Sequence, residues 1–177
     1  MASQHSNQID WCIGKAQKEL EECKRQKKKP RHRGLVKTEP NKSLALRHIS
    51  KAEHYLKGLQ LLKSSGVSDL AVGMGFYSLY HCFLAIASKF GYESGNQTCT
   101  IALIELLQEE GKIKINQEIV DLMKYEEEQN VIDNSFIELR EDYTYGIDLM
   151  VKSEELLNRM EKHCIDFISV VKEIVYA

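Results

Sequence analysis

Proline is confined to one short stretch of this chain, and its distribution strongly constrains the fold. The two prolines are Pro30 and Pro40, and none follows in the rest of the 177 residues. Because proline removes a backbone donor and breaks helices, its absence after residue 40 leaves room for long uninterrupted helices. The stretch 28–41, which holds both prolines, is predicted to be a linker.

Apolar residues recur at steps of three and four along most of the chain, the spacing of amphipathic helices. The predicted helices span about 8–27, 43–65, 68–90, 98–110, 116–129, 136–143 and 153–177. No run of four to eight residues alternates apolar and polar side chains between turn signals, so no strand is predicted. The predicted fold is all-α, an antiparallel up-and-down bundle of four to five principal helices with an added N-terminal helix.

Two segments are predicted along the chain: 1–42, an N-terminal helix with a basic linker, and 43–177, the helical bundle. Hydrophobic residues make up 43% and charged residues 28%, which is typical of a globular protein. Burying some twenty large apolar side chains, at about 1.5 to 3 kcal/mol each, can offset the ordering entropy of such a chain. No cofactor is needed to explain stability.

The cysteine pattern and the N-terminal residues bear on the compartment. The cysteines are odd in number and widely spaced: Cys12, Cys23, Cys82, Cys99 and Cys164. This pattern favours buried free thiols in a reducing compartment over a disulfide framework, and no CxxC or CxxH spacing suggests zinc. The first residues lack a basic-then-apolar signal pattern, and no window reaches about 18 consecutive apolar residues. We therefore expect a cytoplasmic protein that does not enter a membrane.

The net charge of -2 conceals an uneven distribution. Between Lys24 and Lys37 the chain has eight basic residues and no acidic one, which leaves 16 basic against 26 acidic residues elsewhere. Such a segment attracts the phosphate backbone of a nucleic acid, or it lies as a solvated linker against acidic helices. The residues of this segment that are candidates for binding nucleotide or RNA are Lys27, Lys28, Lys29, Arg31 and Arg33.

The densest polar run near a helix end is Arg140-Glu141-Asp142-Tyr143-Thr144-Tyr145. An arginine and a tyrosine five positions on can present both head groups on one side of a helix, where the guanidinium would grip a phosphate. Arg140, together with Asp142 and Tyr143 of the same polar run, is a candidate for binding nucleotide or RNA. The structural alternative is that Arg140 pairs with Glu141 or Asp142 and holds the start of the last helix.

Signatures of the common enzyme classes are missing. The sequence has no GxxxxGK[ST], no GxGxxG after a strand, no HExxH and no GxSxG. His48 and His54 lie beside the apolar stripe of the second predicted helix without a complete set of carboxylate partners, so no metal site is predicted. The aromatic run 77–83 is interpreted as core whose polar tips need partners, with Arg140 or Asp142 as candidates; the alternative is a ligand pocket.

Four segments together resemble a known family. They are Ala52-Glu53-His54-Tyr55-Leu56; the helix from Ala71 to Ala87, in which Phe76-Tyr77-Ser78-Leu79-Tyr80-His81 is similar to the pattern aYYAmFHa; the loop after Gly91; and Leu139 to Tyr145, similar to lRxxADY. On these motifs, residues 43–174 resemble the HEPN domain, the nucleotide-binding helical fold of higher eukaryotes and prokaryotes, in its small stand-alone form. The resemblance covers about three quarters of the chain.

The resemblance implies a homodimeric bundle that often accompanies a small nucleotidyltransferase in a toxin–antitoxin pair. In RNA-cleaving members, an arginine and a histidine a few residues later form a composite site across the dimer. The arginine position is Arg140, but Tyr145, Gly146 and Ile147 stand where the histidine is expected. Tyrosine phenols, with an ordinary pKa of about 10, are poor proton shuttles at neutral pH. The resemblance also makes Tyr143 or Tyr145 a candidate acceptor of a nucleotide from the transferase.

Three functions follow as hypotheses. The first is a non-catalytic HEPN-like module that binds nucleotide or RNA, a nucleotidyltransferase partner, or both. The second is a metal-independent ribonuclease toxin in which Arg140 and Tyr145 act across a dimer interface, with the basic segment supplying phosphate contacts. The third is a scaffold bundle without a ligand.

Overall fold

The computed structural model describes residues 4–124 and 135–177. Within those ranges the chain forms seven helices and two short strands. In chain order they are α1 (Gln4–Arg25), β1 (Leu35–Lys37), α2 (Lys42–Lys63), α3 (Asp69–Lys89), β2 (Tyr92–Ser94), α4 (Gln97–Glu109), α5 (Gln117–Leu122), α6 (Phe136–Tyr145) and α7 (Glu154–Tyr176). The all-α bundle predicted from the sequence is confirmed. The predicted extension of the fifth helix to about residue 129 lies outside the described residues.

The helix ends follow local capping chemistry. Ser135 and Glu138 form a reciprocal capping box at the start of α6, and the hydroxyl of Ser153 accepts a hydrogen bond from Leu156 N–H at the start of α7. Gly91 and Gly111 have φ angles of 78° and 68°, so each follows its helix in the left-handed conformation that glycine adopts readily. The side-chain oxygen of Asn41 accepts a hydrogen bond from Leu44 N–H at the start of α2.

The prediction that the chain has no strands is wrong, because β1 and β2 are present. β1 pairs antiparallel with β2, with Leu35 opposite Ser94 and Lys37 opposite Tyr92. β1 lies inside the stretch predicted to be a linker, and its Leu35 is 0% exposed. No sequence pattern predicts these strands, because each has only three residues and pairs with a strand more than fifty positions away.

The chain divides into two compact units, of which the first contains Met1–Leu46 and Phe83–Lys114. In this unit α1 packs against α4 and against β1. A disulfide joins Cys12 of α1 to Cys99 of α4, so the expectation that all five cysteines are free thiols is wrong for this pair. Cys23, Cys82 and Cys164 are free. The pairing was not visible in the sequence because the two cysteines are separated by 87 positions.

The second unit contains Arg47–Cys82 and Ile115–Ala177. Gly75 of α3 permits a close approach here, because a β-carbon at this position would lie 2.1 Å from the sulfur of Met160 on α7. The hydroxyl of Ser78 donates to the carbonyl of Ala52, which joins α3 to α2. Gly73, by contrast, has open space around it, so the close contact is specific to Gly75.

Helix α3 is long and apolar enough to cross a bilayer by length and composition, and it is the single such helix in the described ranges. However, 61% of the 18-residue apolar stretch in this helix is buried inside the protein. Its fully buried residues include Leu79, Cys82, Phe83 and Ile86. The apolar character of α3 is therefore explained by its role as a core helix.

Candidate functional site

Arg140 projects from α6 in the second unit and makes two contacts within it. Its guanidinium lies over the ring of Phe76 on α3, 4.9 Å from the ring centroid, and its Nη2 donates to Oε1 of Glu141 at 2.9 Å. The side chain is only 16% exposed, and Phe76 is buried. Arg140 thus has the contacts of a residue that holds α6 against α3.

The remaining residues of the polar run differ in exposure. Asp142 is exposed, and Tyr143 is half-buried. Tyr145 is 78% exposed at the last position of α6, after which the N–H of Gly146 donates to the carbonyl of Asp142 at 2.8 Å. The structure brings Arg140 together with Phe76 and Glu141, but no contact between Arg140 and Tyr145 occurs among the described residues.

The basic segment, defined as residues 24–37, belongs to the first unit and is held in place by its backbone. The carboxylate of Glu19 on α1 accepts a hydrogen bond from the backbone N–H of Arg33 and also pairs with its Nε at 3.4 Å. These contacts with Arg33 lower the pKa of Glu19. The thiol of Cys23 donates to the carbonyl of Arg31 at 3.6 Å. The segment ends in β1, which pairs with β2. The segment is therefore fastened at several points.

The lysine and arginine side chains of the basic segment are exposed. The five candidate residues Lys27, Lys28, Lys29, Arg31 and Arg33 are all exposed. Arg33 pairs with Glu19, whereas Lys27, Lys29 and Arg31 form no ion pair with any described residue. The sequence left open whether these cations lie against acidic helices, and the structure leaves most of them directed at solvent.

A groove separates the end of α1 from the basic segment, and its lining is mixed in charge. It has a volume of about 560 Å³, and its walls include Lys18, Glu22, Lys28, Arg31 and His32. The His32 side chain is only 7% exposed, with Nε2 3.5 Å from Glu93, and its buried Nδ1 has no hydrogen-bond partner in the described chain. The groove is thus a polar surface beside the exposed cations.

Sequence reasoning missed a second polar cluster, on α2 and α3 in the second unit. The Nδ1 atoms of His48 and His81 lie 3.0 Å apart, so one ring donates a hydrogen bond to the other. The ring of Tyr55 stacks on His81 with 5.5 Å between centroids, and Tyr77 lies 5.5 Å from Tyr55. The pairing of His48 with His81 depends on the packing of two helices, which no local sequence pattern encodes.

The surroundings of this cluster disfavour the protonated form of both histidines. Burial, followed by the charges of His48 and Lys51, lowers the pKa of His81 to about 4. Burial and the neighbouring charge of Arg47 also lower the pKa of His48. A neutral pair fits the hydrogen bond, because at least one Nδ1 must be an unprotonated acceptor. Within the described residues, no group of three or more His, Cys, Asp or Glu side chains is close enough to hold a metal ion.

Comparison of the chain with protein-family models gives no match, and comparison with curated proteins gives no match either.

Proposed function

We propose that this chain is a non-catalytic, HEPN-like helical module that binds RNA through its basic segment. The observation that carries the proposal is the set of exposed cations, Lys27, Lys29 and Arg31, on a backbone fastened to α1. RNA supplies a phosphate at every nucleotide, so cations distributed along a chain segment match it better than they match one isolated anion. The basic segment is the binding surface in this account.

The fastening of the segment supports binding in a second way. A flexible cationic tail loses conformational entropy when it settles on a polyanion, and that loss weakens binding. Here the contacts of Glu19 with Arg33 and of Cys23 with Arg31 restrict the backbone before any ligand arrives. The lysine and arginine side chains still reorder on binding, but the main chain does not begin as a free coil.

The contacts of Arg140 support the non-catalytic part of the proposal. An arginine that stabilises charge on a reacting phosphate must present its guanidinium to the ligand. The guanidinium of Arg140 is instead covered by Phe76 on one side and bonded to Glu141. The sequence lacks the histidine that cleaving HEPN members use, so both observations favour binding over cleavage.

A homodimer and a nucleotidyltransferase partner belong to the same proposal, on the basis of the resemblance. The stretch after α6 exposes the large apolar residues Ile147 (95%), Leu149 (74%) and Met150 (56%) beside Tyr145. Adjacent exposed apolar residues commonly mark a surface for another protein. The exposed phenol of Tyr145 is accessible to a transferase that would join it to the α-phosphate of a nucleoside triphosphate and release pyrophosphate. The half-buried Tyr143 is the second candidate acceptor.

Fluorescence anisotropy with a labelled single-stranded RNA tests the proposed function. We expect the triple variant Lys27→Gly/Lys29→Ala/Arg31→Ala to bind at least about tenfold more weakly than the native chain, because three phosphate contacts are removed. The control Lys57→Ala/Lys152→Ala/Lys162→Ala removes three exposed lysines of the second unit and should bind nearly as well. Equal losses in both variants would contradict the assignment of RNA binding to the basic segment.

A further inference from the structure

The exposed side of α2 carries a concentration of positive charge that the RNA-binding proposal does not use. Arg47, Ser50, Lys51 and His54 line a shallow depression on this helix, and all four side chains are exposed. Their spacing of three and four residues places them along one face across two helical turns. The depression therefore presents two cations, a hydroxyl and an imidazole to solvent.

Within the described part of the chain, the two cations of the depression have no acidic partner. Neither Arg47 nor Lys51 forms an ion pair within residues 4–124 and 135–177. Glu53 is the single acidic residue in the sequence of α2, and its carboxylate pairs with Lys172 of α7 at 2.6 Å. The positive charge of the depression is therefore left uncompensated by the helix that carries it.

The surroundings position one of the two cations. The Nζ atom of Lys51 lies over the ring of Tyr55, 4.8 Å from its centroid, and Tyr55 in turn stacks on His81. Contact with an aromatic face restricts a side chain that otherwise samples many rotamers. Tyr77, which is 37% exposed, lies with its ring centroid 5.5 Å from that of Tyr55 and belongs to the same cluster of rings.

The charges of Arg47 and Lys51 also act on the paired histidines His48 and His81. The pKa of His48 is lowered by burial and by Arg47, and that of His81 is lowered by burial, His48 and Lys51. Both effects have the sign expected where positive charge is unbalanced. A phosphate dianion bound between Arg47 and Lys51 would offset the two positive charges and so raise the pKa values of both histidines.

We propose that the depression formed by Arg47, Ser50, Lys51 and His54 binds the dianionic phosphate of a small phosphomonoester. The guanidinium donates a planar pair of hydrogen bonds to phosphate oxygens, while the ammonium and the hydroxyl contact the remaining oxygens. The inference goes beyond the RNA-binding proposal, because the residues belong to the second unit and the ligand is a single small molecule. An organic group on the phosphate would extend along the rings of Tyr55 and Tyr77.

Isothermal titration calorimetry with the full chain tests this site, using inorganic phosphate, ribose 5-phosphate and adenosine monophosphate as separate probes. We expect at least one phosphomonoester to bind, and Arg47→Ala/Lys51→Ala to weaken it about tenfold or more, since charge-assisted contacts are lost. The control Lys152→Ala/Lys162→Ala removes the same charge elsewhere in the unit and should leave the affinity unchanged. Tighter binding of adenosine monophosphate than of ribose 5-phosphate, reduced by Tyr77→Ala, would support contact of a base with the rings.

Three results would overturn the proposal: no binding of any phosphate probe, equal binding of unphosphorylated adenosine, or an unchanged affinity in Arg47→Ala/Lys51→Ala. Nuclear magnetic resonance of the imidazole protons provides a second readout that needs no variant. We expect the resonances of His48 and His81 to move when ribose 5-phosphate is added to the native chain, and a binding signal without such movement would place the ligand elsewhere. The outcome of the RNA-binding test does not affect these phosphate-binding results. The RNA-binding proposal and the phosphomonoester proposal can therefore fail independently.

Discussion

The backbone N–H of Lys28 donates a hydrogen bond of 2.9 Å to the carbonyl of Cys23, and this contact closes the end of α1. The N–H of Lys27 donates to the carbonyl of Lys24 at 3.1 Å inside the same closure. Lys27 therefore takes the left-handed position of a helix-ending motif, with a φ of 52°, where glycine is the usual residue. The chain places a lysine at a strained position from which the basic segment begins.

The substitution Lys27→Gly should separate stability from ligand binding. Glycine adopts the left-handed conformation without a β-carbon clash, so the free energy of unfolding should rise by up to about 1 kcal/mol. The same substitution removes an exposed cation, so RNA affinity should fall. Urea denaturation and anisotropy on one preparation measure both. Lower stability together with unchanged affinity would mean that Lys27 serves the helix end and not the ligand.

Gly34 provides a test of how the basic segment is fastened. A β-carbon at this position would lie 2.2 Å from the carbonyl oxygen of Cys12 and 3.1 Å from the β-carbon of Ala16. Because the nearest atom is backbone, Gly34→Ala should displace β1 from α1 and lower the unfolding free energy by about 1 to 3 kcal/mol. RNA affinity should fall as well, since the segment loses its support.

Gly14→Ala is the matched control for that change, because Gly14 lies inside α1 with nothing within 4 Å of the added β-carbon. Alanine there should stabilise the helix by up to about 1 kcal/mol. If both variants bound RNA with native affinity, the close contact of Gly34 with α1 would be irrelevant to binding.

Arg140→Ala should lower the stability of the fold without changing the rate of RNA degradation. The loss of the contact with Phe76 and of the bond to Glu141 should lower the unfolding free energy by about 1 to 2 kcal/mol. The rate at which RNA is degraded should equal the background rate for both the native chain and the variant. Cleavage by the native chain that Arg140→Ala abolishes, with the variant shown to be folded, would instead support the ribonuclease hypothesis.

The stability of the chain should fall as the pH drops from about 6.5 towards 4. The folded-state pKa of His81 is about 4, below its ordinary value of 6.5, so the unfolded chain binds more protons throughout this interval. Unfolding is therefore favoured as the pH falls, with His48 and His163 contributing in the same direction because their pKa values are also lowered. The side chains are partly exposed, so solvent screening reduces the effect.

Thermal unfolding at pH 7.5 and pH 5 measures this dependence, and His81→Gln is the informative variant. Glutamine retains a hydrogen-bonding side chain but does not titrate, so the difference between the two unfolding temperatures should be smaller than in the native chain. A difference equal to the native one would show that the pair formed with His48 does not contribute to acid sensitivity.

The helices could be predicted from the sequence because their signals are local. Ser135 and Ser153 stand at helix starts, and Gly91 and Gly111 follow helix ends, so composition at each boundary carries the information. The pairing of β1 with β2 depends on residues far apart in the chain, as does the disulfide between Cys12 and Cys99. No local pattern encodes either contact.

The candidate sites also differ in whether a local stretch of sequence reveals them. The charge of the basic segment is a property of consecutive residues and was evident in the sequence. The aromatic run on α3 was expected to need partners for its polar tips, and Arg140 was one candidate; the structure instead places its guanidinium over the face of Phe76. The pairing of His48 with His81 arises only when α2 and α3 pack, so it could not be predicted from the sequence.

The salt dependence of RNA affinity tests the central claim most directly. For single-stranded RNA, each phosphate contact contributes about 0.7 to the slope of log affinity against log salt concentration. Lys27→Gly/Lys29→Ala/Arg31→Ala should reduce the magnitude of that slope by about 2 relative to the native chain, whereas Lys57→Ala/Lys152→Ala/Lys162→Ala should leave it unchanged. A native slope near zero, or an identical slope in the basic-segment variant, would contradict RNA binding by this segment.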